Sequence, residues 1–280
     1  GADIGGSLRA LLALHRIGKA RALIALNRSS VEVMNLELPP STDTELPEMV
    51  VNQAIHVSAT VDENTAIDYV VTDDGDPQDQ RKVTAVAVPD EKLKAIREIC
   101  ARALVKPTRM TMRAMGAIAV FKRSAHITDD PSLLISCSVD EVDMTVLVRG
   151  KPVFSRSLRL PGGGDEEAMA VRIADETNRT LAVAMQDFWS GGAIDRIFLF
   201  GDQREHEALL AKLQERFEQE VVLIDPFEGQ NIRPDIIPVE PGCFTPLVGL
   251  LLDETIGPSH PIDLLHPKKK PKPKSLLRPV

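Results

Sequence analysis

The stretch from Leu133 to Phe217 admits few folds. It runs through LLISCS, DMTVLVR, the turn signal Gly150-Lys151, PVFSRSLRL and PGGG into a long helical run, then RIFLF, Gly201 and a second helical run. Met144, Val146 and Val148 alternate with Thr145, Leu147 and Arg149, the period of two that gives a strand two faces. Segments 133–138, 143–149 and 152–160 therefore read as a strand meander. Residues 165–188 set Ala168, Val171, Ala174, Asn178, Leu181, Ala182 and Met185 at helical spacing. Asp165, Glu166 and Glu167 suit the positive end of that helix dipole. The stripe Leu209, Leu210, Leu213 and Phe217 marks a second helix, with Glu205, Glu207 and Glu215 reading as its solvated face. VVLID (221–225) follows at once, so 196–225 reads as a β-α-β unit with Gly201 at its strand-to-helix turn.

The rest of the chain also mixes strands and helices. Ser7 is placed to cap a helix that ends before Gly18. ALIAL (22–26) and VEVMNLEL (31–38) suggest a hairpin across NRSS, and 41–57 reads as an amphipathic helix. Segments 66–73 and 83–89 read as strands, Asp90 caps a helix, 110–123 reads as a shorter helix, and 241–252 as a core helix. The expected organisation is a first lobe at 1–130, a second at 131–258 and a tail at 259–280.

Charge and composition exclude several functions. The net charge is −8, yet His266–Val280 holds five Lys and one Arg and no acid. The body without that tail carries 27 basic against 41 acidic residues, which argues against nucleic-acid binding. Aromatic residues are 4%, too few for a base-stacking surface. Cys100, Cys137 and Cys243 are widely spaced in apolar settings and read as free thiols. The six His show no metal-ligand spacing, and no G-x-S-x-G, Walker lysine loop or C-x-x-C is present. No residue is therefore assigned a catalytic or metal-binding role.

The order LELPP (36–40), VTAVAVPDEKLKAIREICARALVKPTRM (83–110), the meander ending SLRLPGG, ETNRTL (176–181), IFLFG (197–201) and PLVGLLLDE (246–254) resembles the actin-like family of the type IV pilus assembly protein PilM and the cytoplasmic domain of the type II secretion protein GspL. The resemblance covers about 20–258. It implies an actin/Hsp70-like, ribonuclease H-like, mixed α/β two-lobe fold, here N-terminally truncated before its first strand pair, with a small subdomain inserted at about 41–106. It also implies a cytoplasmic scaffold at the inner membrane that binds inner-membrane pilus or secretion proteins and their assembly ATPase. The partner groove would lie beside the inserted subdomain, with Leu38, Met49 and Val50 as candidate lining. The basic run 268–278 would suit a juxtamembrane position.

The same resemblance places a nucleotide cleft in the second lobe, with ATP and magnesium as the implied cofactor. Its phosphate turn would fall at Ser138–Asp143, with Ser138 and Asp140 as its remnant. That turn has no Gly and three carboxylates, which oppose a triphosphate. Gly162, Gly163 and Gly164 precede a helix N-terminus and offer an anion site, against which Asp165, Glu166 and Glu167 compete, while the Glu176/Arg179 pair and Gly201-Asp202 fall where the family places nucleotide contacts. Glu176/Arg179 also reads simply as an i,i+3 surface pair. Two rivals to a degenerate scaffold stay open: an active ATPase or kinase of the same fold, and a free-standing soluble adaptor.

Overall fold

A computed structural model describes residues 3–72, 76, 78–160, 165–187, 193–255 and 261–269. The meander forms as β6 (Ser132–Cys137), β7 (Glu141–Val148) and β8 (Lys151–Arg159), all antiparallel. Arg149 and Gly150 make the β7–β8 turn, with φ of 52° and 67°, the geometry that matches the twist of a tight hairpin. After α5 (Glu166–Asp187), β9 (Arg196–Phe200) joins the free side of β6 in parallel. Then α6 (Glu207–Arg216) returns the chain to β10 (Glu220–Ile224), parallel to β9. The result is a five-stranded sheet in the order β10-β9-β6-β7-β8.

Period-two alternation feeds two separate cores. Leu133, Ile135, Met144, Ile197 and Leu199 face α5 and α6. Leu134, Leu147, Phe198 and Phe200 face the opposite way, toward α4 (Arg113–Phe121), where Phe121 and Phe198 meet at 4.9 Å between ring centroids. The buried face of α5 is Ala170, Ile173, Ala174, Thr177, Thr180, Leu181 and Ala184, rotated from the stripe read in the sequence; Ala168, Asn178, Ala182 and Met185 are exposed. The threonines cause the difference. Their hydroxyls bond back to the carbonyls of Ile173 and Glu176, so both side chains enter the core with their polar atom satisfied.

The N-terminal half holds α1 (Ile4–Leu14), β1 (Arg21–Leu26), β2 (Glu32–Leu38), α2 (Leu46–Val57), β3 (Ala66–Val71), β4 (Arg81–Val88), α3 (Asp90–Ala103) and β5 (Lys106–Met112). The expected β1–β2 hairpin does not form. β1 pairs in parallel with β5, while β2 joins the antiparallel sheet β2-β4-β3. The NRSS link offers no pair suited to a primed hairpin turn. It folds as one 3-10 turn at 28–30, with the Arg28 guanidinium bonded to the carbonyls of Val31 and Ser155. The small sheet and α2 have their own core, from Met34 to Ala87.

Three other boundaries move. Residues 110–112 belong to strand β5, not to a helix, because pairing with β1 buries Met110 and Met112. Asp3, not Ser7, caps α1 by accepting the Gly6 N–H at 3.0 Å. Residues 261–269, assigned to the tail from sequence, are part of the fold. Ile262 and Leu264 enter the core around α4, and Lys268 Nζ reaches buried Asp68 at 2.9 Å and the Tyr69 ring at 5.1 Å. Residues 270–280 of the basic run lie outside the described residues.

The final helix, α7 (Thr245–Glu254), crosses α4 backbone to backbone. A Cβ on Gly249 would lie 1.8 Å from the Gly116 carbonyl oxygen, so only glycine allows this approach. The outer side of α7 stays exposed at Leu247 and Leu251. Among the described residues no helix is long and apolar enough to cross a membrane.

Candidate functional site

A cavity of about 330 Å³ opens at the carboxyl ends of β6 and β9, the side of an α/β sheet where ligands bind. The first turns of α5 and the chain entering α6 form its walls, and the 3-10 turn at Pro241–Phe244 supplies Cys243. One side is apolar, from Leu160, Met169, Ala170, Ile173 and Leu209. The other is acidic, from Glu166, Glu205 and Glu240, with Cys137, Ser138 and His206 between.

Glu205 is the central group of the acidic side. Its side chain is only 5% exposed, against the sequence expectation of a solvated helix face. The chain turns before α6 begins at Glu207: Asp202 accepts the Glu205 N–H at 2.9 Å, and Glu205 points inward. Glu205 Oε2 accepts the Gly242 N–H at 2.8 Å, while Oε1 is buried with no hydrogen-bond partner. His206 stands beside it but directs Nε2 to the Phe200 carbonyl at 2.9 Å. Burial, then Glu205 and Glu240, push the Cys243 thiol up to about 11. Gly201, at φ 134°, completes the cradle. A Cβ there would lie 2.6 Å from Glu205 Oε2, so the space above that glycine is already filled by a carboxylate.

The turn between β6 and β7 is committed to its own chain. The Ser138 N–H and hydroxyl both donate to the Glu141 carbonyl, at 2.8 and 3.0 Å. The β7 strand resumes at Glu141, so two of the three carboxylates of this segment lie in a strand rather than a loop. Both meet Arg113, at the start of α4: Glu141 Oε2 lies 2.7 Å from Nη2 and Asp143 Oδ2 lies 2.9 Å from Nε. The second contact is an ion pair without hydrogen-bond alignment, since neither atom finds a bonded partner. Asn27 and Ser29 add donors to Glu141, and Ser157 bonds Asp143. The network ties the segment after β1 to the five-stranded sheet.

The sequence candidates divide by position. Ser138 lines the cavity and Gly201-Asp202 borders it, whereas Asp140 is exposed at the turn. Gly162, Gly163 and Gly164 lie outside the described residues. Glu176 and Arg179 do not line the cavity. Glu176 is held between Arg179 at 2.6 Å and Arg156 of β8 at 2.8 Å. Leu38 and Val50 cannot line a groove, because both sit inside the small-sheet core; Met49 is half-buried against it. A smaller cavity of about 240 Å³ lies beside the small sheet instead, between Ser29–Glu32, Thr60–Val61, Thr65 and Pro89–Lys92.

A magnesium nucleotide fits the described lining poorly. No Lys or Arg is among those lining residues, three carboxylates are, and the turn amide of Ser138 is spent. Among the described residues no cluster of three or more His, Cys, Asp and Glu is placed to hold a metal ion. Sequence reading missed Glu205, His206, Cys243 and Arg113. The one available signal was Asp202, a helix-entry residue three positions before Glu205, which places that glutamate in the turn.

No family model and no curated protein matches the chain by sequence. Solved structures do match. One is a PilM–PilN type IV pilus biogenesis complex, with TM-score 0.71 and 17% identity over 91% of this chain and 85% of that one. Another is the cytoplasmic domain of EpsL, an inner membrane component of the type II secretion system of Vibrio cholerae, with TM-score 0.50 and 12% identity over 94% and 83%. The chain thus has the mixed α/β, actin-like fold, and it resembles PilM and the EpsL (GspL) cytoplasmic domain across nearly its whole length.

Proposed function

We propose that the chain is a cytoplasmic scaffold of a type IV pilus or type II secretion assembly platform at the inner membrane, and that its nucleotide cleft is degenerate. The observation that carries this reading is the likeness to PilM of the PilM–PilN complex over 91% of the chain. The acidic cavity supports the second half. Where an ATP-using relative needs cationic or amide donors, this chain presents Glu166, Glu205 and Glu240. We divide it into lobes at 1–130 and 131–258, with the small sheet β2-β4-β3 and α2 inserted in the first. The cavity at Ser29–Glu32 and Thr65 is where a partner segment seats, beside the small sheet.

The test is a photo-crosslinker placed at Thr65 in cells. The reading expects an identified inner-membrane pilus or secretion component to be captured there, and not from a crosslinker at exposed Leu104. Recovery of the chain without any such component, from either position, would refute it.

A further inference from the structure

From the lining of the 330 Å³ cavity we infer a binding site for an alkylammonium group, that is, a cationic nitrogen on an apolar stem such as a lysine side chain. Three features converge on this ligand class. The described lining carries three carboxylates and neither Lys nor Arg, so a cation is attracted and an anion repelled. The Glu205 carboxylate is nine-tenths buried, and its Oε1 accepts no hydrogen bond, with His206 Nε2 at 3.7 Å and turned to the Phe200 carbonyl. A buried acceptor of this kind is costly until a donor reaches it, and a charged N–H is the strongest donor available. The opposite wall of Met169, Ile173 and Leu209 is apolar and suits a methylene stem. The Cys243 thiol beside them is raised first by burial and then by Glu205 and Glu240.

The geometry also says why the group should be narrow. Glu205 Oε1 lies deep, 2.8 Å from where a Cβ on Gly242 would stand, an approach that suits a slender chain better than a purine. The inference rests on reading this cavity as no longer a nucleotide site, a point that titration with ATP tests separately. Failure of cation binding with ATP also silent would sink the inference alone.

The experiment is an amide NMR titration of the full chain with cadaverine and, in a second arm, with the blocked tripeptide Gly-Lys-Gly. Inorganic phosphate serves as the anionic control. The expected result is saturable shifts confined to Ser138, Met169–Ile173, Glu205–Leu209 and Cys243, with none from phosphate. Tighter binding of cadaverine assigns the site to a free polyamine, and tighter binding of the tripeptide assigns it to a protein side chain; either supports the site. Glu205→Gln should weaken binding by about tenfold or more, the value of a charge-assisted hydrogen bond. Since Glu205 also holds Gly242, a rim variant, Glu240→Lys, provides a second route and should weaken binding with the fold intact. Shifts scattered over the acidic surface, or affinity unchanged in both variants, would overturn the inference.

Discussion

Replacing Arg113 with Ala should destabilise the chain by about 3–5 kcal/mol, the range for removing one partner of a buried ion pair. The magnitude follows from what is left behind. Glu141 and Asp143 are 3% and 5% exposed, and Arg113 is the cation in contact with both, with Arg28 adding an attraction to Asp143. Glu141 would keep Asn27 and Ser29, and Asp143 would keep Ser157, so their hydrogen bonds survive while their charges do not. Urea unfolding of both proteins at pH 7 measures this directly. The triple variant Arg113→Met, Glu141→Gln, Asp143→Asn should recover most of the stability, because it removes the charges as well as the partner. A loss below about 1 kcal/mol at pH 7 would refute the view that Arg113 neutralises this pair.

Two further outcomes follow from the packing. Tyr69 is the only tyrosine, and burial, then Asp68 and Asp43, push it up to about 12 from the ordinary 10. Its folded pKa lies above the unfolded one, so its contribution is intact below about pH 10 and fades as pH rises from 10 to 12. Tyrosinate absorbance should titrate near 12, together with unfolding; a midpoint at 10 in folded protein would contradict the burial. Gly249→Ala should cost about 2–3 kcal/mol or more by forcing α7 off α4, whereas Gly18→Ala, with open space around it, should be neutral in thermal melts. Equal melting temperatures for the two variants would mean the helix crossing tolerates a methyl.

The meander and the β-α-β unit were legible because period-two alternation and a helical stripe are local signals. Met144, Val146 and Leu147 declared their faces before any partner was known. Pairing was not legible where the partner is distant. β1 bonds to β5, whose residues lie beyond the whole small sheet, so proximity in sequence suggested the wrong hairpin. Thr177 and Thr180 were hidden because a threonine that bonds its own helix backbone behaves as an apolar residue. The cavity was half legible. Ser138 and Gly201 fell near it by resemblance, but Glu205 reads as a surface glutamate until the turn at Asp202 aims it inward. Arg113 could not be paired with Glu141 and Asp143 from sequence, since nothing local links the start of α4 to β7.

The central claim is that an actin-like fold here serves as a scaffold whose cleft no longer takes nucleotide. Calorimetric titration of ATP with magnesium into the purified chain tests it most directly. The account predicts no heat of binding up to millimolar nucleotide. Micromolar binding that is lost in Ser138→Pro but kept in Thr65→Ala would contradict it, and would return the cavity between β6 and α5 to the status of a nucleotide site.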